Sequence, residues 1–332
     1  MDKSKGLGVV REKNNENTLF RDLEESRAYV GRRDWPMISI ITPTYNQGEY
    51  IEETILSVIE QNYPNLEYII IDGGSSDKTI EVIKKYEQHI SYWISESDRG
   101  QADAINKGLN ICKGDIIGWL NSDDLLEPEA LLNISDKFID FNTPLLIAGS
   151  GVCFDDQGIV WQPDRLSGDL YAQEYTKLML LQCWKYSLHQ PSTYWNRALM
   201  DEIGNLNDSL HFAMDLEYWL RVIDNKIPIY KFDASLSKFR VHNTSKTNNE
   251  EHRLHQDLLT LAECHLSEPD LKKYTRKHVI HFGCYKAVRK IIQKRVAERR
   301  LFTWWQAFKV HPLSVIESPR IMLSGLCHAL LD

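Results

Sequence analysis

Asp123 and Asp124 close the run Asn121-Ser122-Asp123-Asp124, directly after the apolar Ile116-Ile117-Gly118-Trp119-Leu120. Two adjacent carboxylates repel each other unless a cation, a set of donors or solvent separates them. Their oxygens suit Mg2+ or Mn2+, ions that keep several waters and meet substrate phosphates through only one or two carboxylates. The plainer alternative is a solvated turn that caps the next helix through Asp124. A second acid-bearing run is Asp72-Gly73-Gly74-Ser75-Ser76-Asp77. Its glycines allow a ligand to approach the backbone closely, and Asp72 could accept hydrogen bonds from a nucleobase N–H or from ribose hydroxyls. Asp77 reads more simply as a helix cap. A third run, Thr42-Pro43-Thr44-Tyr45-Asn46, contains neither G-x-G-x-x-G nor a Walker lysine, so the usual dinucleotide and triphosphate loops are excluded.

These runs need elements to hold them. Met37 to Thr42 is a short apolar strand, and Glu49 to Gln61 is helical, with Ile51, Ile55, Val58 and Ile59 on one face. Leu66 to Asp72 is apolar at every position from Tyr68 to Ile71, as a strand covered on both faces would be. A helix through Tyr86, a strand from Ile90 to Ser95, a helix from Gln101 to Cys112 and a strand from Asp115 to Leu120 follow. This alternation predicts an α/β fold with a mainly parallel sheet flanked by helices. Ligands of such sheets sit beyond the carboxyl ends of the strands, where all three runs would converge. After Val152 the alternation weakens. Tyr171 to Tyr186 looks helical, Leu216, Trp219, Leu220 and Ile223 mark an amphipathic helix, and the chain from about Glu250 onward reads as helical.

The 332 residues are 42% hydrophobic and 10% aromatic, enough for a substantial core. No stretch has the length of unbroken apolar sequence that a membrane span requires, and Met1 to Asn17 lacks the apolar centre of a signal peptide. Six scattered cysteines without a C-x-x-C pair fit buried free thiols in a reducing cytoplasm. The net charge of -8 conceals a basic stretch: Leu271 to His311 has twelve Lys/Arg and one acid, Glu298. A solvated helix face explains this most simply. With Arg299-Arg300, Trp304-Trp305 and later apolar residues, it also suits peripheral contact with an anionic membrane, here the inner face of the cell membrane, through 271–332. Nucleic acid is not expected, since no recognised binding motif accompanies the charge.

The three runs, with Asp98-Arg99-Gly100-Gln101-Ala102-Asp103-Ala104-Ile105-Asn106-Lys107-Gly108 between the second and the last, resemble the successive signatures of family 2 glycosyltransferases. The resemblance is strong from about Ile38 to Leu132 and thinner to about Asn243. It implies a GT-A fold and an inverting transferase that takes a nucleotide diphosphate sugar, a UDP-sugar first, with Mn2+ or Mg2+. The acceptor would be a hydroxyl of a glycan or lipid-linked molecule in cell-surface polysaccharide or glycoconjugate synthesis. By this resemblance Pro43 and Tyr45 line the base pocket, Asp72 reads the base, Arg99 approaches the sugar or diphosphate, Asp123 contacts ribose or sugar, and Asp124 binds the metal. Many members carry an acid where this chain has Asn121. His211 to Trp219 resembles the base-bearing region, which makes Asp215 the catalytic base at a helix N-terminus, ahead of Glu217. Phe239 to Ser245 resembles the late Arg-x-His element, where His242 is a further metal ligand or holds the diphosphate, with Arg240 nearby. His189 and Gln190 resemble an acceptor-side loop. The implied organisation is a lead-in at 1–35, a GT-A domain at 36–250 (donor half 36–150, acceptor half 151–250) and a helical C-terminal region at 251–332. A nucleotidyltransferase would need a glycine-rich basic loop after the first strand, and Thr42 to Gly48 has one glycine and no Lys or Arg. A binding module without catalysis is the other alternative, and it turns on Asp215.

Overall fold

In the computed structural model, the structure describes residues 35–138, 142–161, 171–172, 176–177, 181, 188–242 and 251–275. Nearly all of the expected lead-in, most of the expected helix at 171–186 and the basic stretch beyond 275 lie outside the described residues.

The N-terminal half alternates as its periodicity requires. Strands β1 (Ile38–Thr44), β2 (Leu66–Asp72), β3 (Tyr92–Ser95) and β4 (Ile116–Trp119) are joined through helices α1 (Ile51–Ile59), α2 (Thr79–Lys85) and α3 (Gln101–Ile111). β1 pairs in parallel with β2 and with β4, and β2 pairs in parallel with β3. The remaining elements are β5 (Leu125–Leu126), α4 (Ala130–Ser135), β6 (Leu146–Asp155), β7 (Gly158–Trp161), β8 (Tyr171–Ala172), β9 (Thr193–Asn196), α5 (Arg197–Ile203), α6 (Met214–Asp224), β10 (Ile229–Arg240) and α7 (Glu251–His265). One sheet results, in the order β3-β2-β1-β4-β9-β6-β10-β5, with β7 on β6 and β8 on β10. β9 is antiparallel to both β4 and β6, while β6 and β10 are parallel to each other. The sheet is therefore parallel across the donor half and mixed beyond it.

The two sheet faces bury two cores, and the period-2 alternation of each strand sorts its side chains between them. Tyr68 and Ile70 pack with Ile51, Ile55 and Val58 of α1 on one face. Ile69 and Ile71 pack with Ile105 and Leu109 of α3 and with residues of α6 on the other. Leu258, Leu261, Ala262 and Tyr274 join this second core, so the described part of the expected C-terminal region packs into the domain itself. α3 lies very close to the sheet at Gly108, where an added Cβ would stand 2.5 Å from Ile41 Cγ2.

Gly108→Ala should therefore lower stability, although alanine in an exposed helix interior would gain up to about 1 kcal/mol. Overpacking costs about 1–3 kcal/mol, and the expected sign is a lower urea midpoint at unchanged slope. An unchanged or raised midpoint would show that α3 can lift off β1 at little cost.

Candidate active site

The turn Asn121–Asp124 leaves β4 and runs directly into β5. β5 pairs antiparallel with β10, with Leu125 opposite Lys238 and Leu126 opposite Ser237. Stepping back along the chain from Leu125 therefore steps forward along β10, and the acids arrive beside Arg240 and His242. Asp124 is fully buried. Its Oδ1 accepts the Arg240 N–H at 2.9 Å and its Oδ2 accepts from Asn121 Nδ2 at 3.2 Å. Burial and then the neighbouring Asp123 charge push the Asp124 carboxyl well above the usual range, with those two hydrogen bonds opposing. The buried Arg240 guanidinium donates to the Asp123 carbonyl at 3.0 Å, pairs with Glu53 at 2.6 Å, and stacks on Tyr50 and Phe154. Polar residues of α1 complete the support: Thr54 Oγ1 donates to the Asp124 carbonyl, and Ser57 Oγ accepts the Leu126 N–H. Asp123 is the acid left facing outward, with Oδ2 3.0 Å from His242 Nε2. The His242 ring packs on Tyr50 at 4.4 Å.

At the end of β2, Asp72 is also fully buried. It accepts from the N–H groups of Gly74 and Ser75, from Ser75 Oγ and from Ser95 Oγ, over 2.5–3.0 Å. Asp72 thus shapes the turn and ties β2 to β3. Asp77 accepts from the Thr79 N–H at the start of α2, as a cap would, and also from the Gly48 N–H in the loop after β1. Asp98, after β3, turns toward Gly73 so closely that a Cβ there would lie 2.5 Å from its Oδ2. Burial pushes the Asp98 carboxyl above its ordinary value.

On the opposite side, Asp215 sits in the first turn of α6, where the spacing placed it. Glu217 pairs with Arg221 at 2.9 Å and is buried, which leaves Asp215 as the carboxylate of that turn that reaches the cleft. Gln190 donates to the Trp119 carbonyl at 3.0 Å and accepts from Asn121 at 3.2 Å. His189 points the other way, between Ser192 and Ser237 and against Gly151. Burial, with Lys231 adding to it, pushes His189 down to about 4, so it is neutral at physiological pH. Arg99 reaches outward to Asp103 at 2.8 Å and Asp208 at 2.6 Å, its side chain 74% exposed.

A cleft of about 440 Å³ opens at the carboxyl ends of β1 and β4, and it brings together Pro43, Tyr45, Asp123, Gln190 and Asp215. Asp72, Arg99, Asp124, His189 and His242 do not line it, although His242 touches it through Asp123. Residues given no role from the sequence do line it: Asp98, Gln101, His211, Phe212 and Phe239. The signal for Asp98 was present, since Ser95-Glu96-Ser97-Asp98 is one more acid-bearing strand end. Asn121 also lines the cleft and accepts from Gln101 Nε2 at 2.7 Å. An acid at 121 could not donate to Asp124, so the departure from the family pattern serves the buried carboxylate. Among the described residues no group of three or more His, Cys, Asp or Glu forms a ready metal cage. An ion held by one or two protein ligands and substrate phosphates needs none, and the adjacent Asp123 oxygen and His242 nitrogen fit such an ion.

Residues 39–202 match the model of Glycosyl transferase family 2. An uncharacterised glycosyltransferase of Rickettsia typhi is 29% identical over 219 residues, which are 64% of this chain and 66% of that protein. The match thus spans just under two thirds of that relative. The S. aureus TarS fragment 1–349 in complex with UDP-GlcNAc has a TM-score of 0.56 at 18% identity, covering 74% of this chain and 73% of that one. The mannosyltransferase PcManGT from Pyrobaculum calidifontis, in complex with GDP-Man and Mn2+, has a TM-score of 0.53 at 15% identity, covering 78% and 75%. At such identities the two solved structures speak for the fold. The matched segment, which contains all four of the N-terminal runs, is a glycosyltransferase family 2 domain, and the chain has the GT-A fold.

Proposed function

We propose that this chain transfers a sugar from a nucleotide diphosphate sugar, a UDP-sugar first, to a hydroxyl of a glycan or lipid-linked acceptor, with inversion at the anomeric carbon. The observation that carries the reading is the single cleft in which Pro43, Tyr45, Asp123 and Asp215 meet from separate elements. Tyr45 is 61% exposed at its edge, an aromatic face available to a base. The solved neighbours hold UDP-GlcNAc and GDP-Man, which supports a donor of this class.

Asp215 accepts the proton of the acceptor hydroxyl as its oxygen attacks the anomeric carbon. The bond to the diphosphate oxygen breaks on the opposite face, so one displacement inverts the centre. Asp123 and His242 would hold Mn2+ or Mg2+, and a cation there supplies positive charge for the departing diphosphate. Asp124, assigned to the metal by resemblance, has its oxygens engaged by Arg240 and Asn121 and acts by presenting Asp123. Asp98 takes the base-reading part given to Asp72 by resemblance, since Asp98 lines the cleft and Asp72 is enclosed. The basic residues of 271–332 would hold the enzyme peripherally on anionic membrane, near a lipid-linked acceptor. Among the described residues no helix is long and apolar enough to cross a membrane.

A panel of UDP-, dTDP- and GDP-sugars with Mn2+ or Mg2+ identifies the donor. With it, Asp215→Asn should cut turnover by roughly 10²–10⁴-fold and leave donor binding nearly intact; normal turnover would remove the mechanism. Asp98→Ala should weaken UDP binding in calorimetry by roughly 10–100-fold, as loss of a hydrogen bond to a charged group does. Equal affinity would return the base contact to another residue. In flotation with anionic vesicles, the full chain should rise and a chain ending at residue 275, which keeps the buried Tyr274, should not. Identical behaviour would dispose of the membrane contact.

A further inference from the structure

The segment that delivers Asp215 to the cleft, residues 204–213, belongs to no strand or helix. It is tied down from elsewhere. Asn106 of α3 brackets Leu206, accepting its N–H and donating to its carbonyl, both at 2.9 Å. Arg99 reaches Asp208 at 2.6 Å. The last tie is the one nearest the base: Asp257 Oδ2, from α7, accepts the N–H groups of Phe212 at 2.9 Å and Ala213 at 3.3 Å. Ala213 is the N-cap of α6 and has no side chain to cap with. Helices ordinarily obtain a capping oxygen from their own N-cap residue. Here the N–H groups that lead into α6 are held by a carboxylate on α7, 44 residues beyond Ala213, at the end of the helix where its dipole favours negative charge, while the Leu216 N–H of the first turn goes to Asp215 Oδ1.

We infer that Asp257 is a positioning residue for the transferase reaction, one that fixes the entry of α6 and so aims Asp215 into the cleft. The inference rests on the reading of Asp215 as the base. It extends the functional machinery to α7, well beyond the segment that matches the family model. Leu258 and Leu261 anchor the same helix in the core, so the carboxylate is carried on a rigid element. Phe212, which lines the cleft, is held by the same contact. A displacement of about 1 Å at such a base can cost roughly 10²-fold in rate.

The test uses the full chain and compares Asp257→Ala with Asp257→Asn, whose amide oxygen can still accept both N–H groups. Asp257→Ala should lose amide-exchange protection across 211–216, keep its urea midpoint near that of the parent, and lose roughly 10–100-fold in turnover with little change in donor KM. Asp257→Asn should recover most of both the protection and the turnover. Loss of protection at full turnover would overturn the positioning role and leave Asp215 as the base. Unchanged protection would show that the contact does not hold the segment. If Asp215→Asn itself retained turnover, the functional reading would fall and this inference with it, while the exchange data would still report on the contact. A global fall in midpoint that Asp257→Asn shares would assign Asp257 to stability alone.

Discussion

A carboxylate taken out of water must find its partners inside the protein or cost several kcal/mol. Asp124 is in that position, and its need for partners organises the site. Among the described residues its carboxylate is served by the Arg240 N–H on β10 and by the Asn121 amide of its own turn. Meeting them brings the exit of β4 against the end of β10, and Arg240 then reaches back to Asp123 and Glu53. Because the two acids are adjacent, burying one dictates the direction of the other. Asp123 faces the cleft with His242 beside it as a consequence.

The same logic explains Asp72. An acid at the end of a parallel strand is available to a ligand only if the protein does not use it first. Asp72 is consumed by its own turn and by Ser95, so the turn is rigid and its neighbour Asp98 meets the cleft. Strand-end acids in this chain thus divide into those that build the loops and those the loops present.

The two sides of the cleft are held by different means. The donor side consists of strand ends locked by backbone pairing and by short-range hydrogen bonds. The Asp215 side depends on an irregular segment whose conformation is imposed by Asn106, Arg99 and Asp257. Such a segment has few backbone bonds of its own, so its order follows from the side chains that hold it.

The linear sequence determined the elements of the donor half, because a 3.6-residue or a 2-residue apolar period has only one way to bury its face. β2 spans the residues read for it, and α3 and α6 fall within a residue or two of the expected helices. It also determined that acid-bearing strand ends would share one crevice, since parallel strands joined through helices all point the same way. Tertiary structure alone decided which member of each acidic pair turned inward, because that choice depends on donors contributed from far along the chain: Arg240 lies 116 residues from Asp124. It alone turned His189 away from the cleft beside Gln190, through Ser192 of its own turn and through Ser237 and Gly151 on β10 and β6. The antiparallel β9 and the hold of Asp257 on the entry to α6 belong with these. Periodicity reports the face a residue occupies, and only the folded chain shows what stands opposite it.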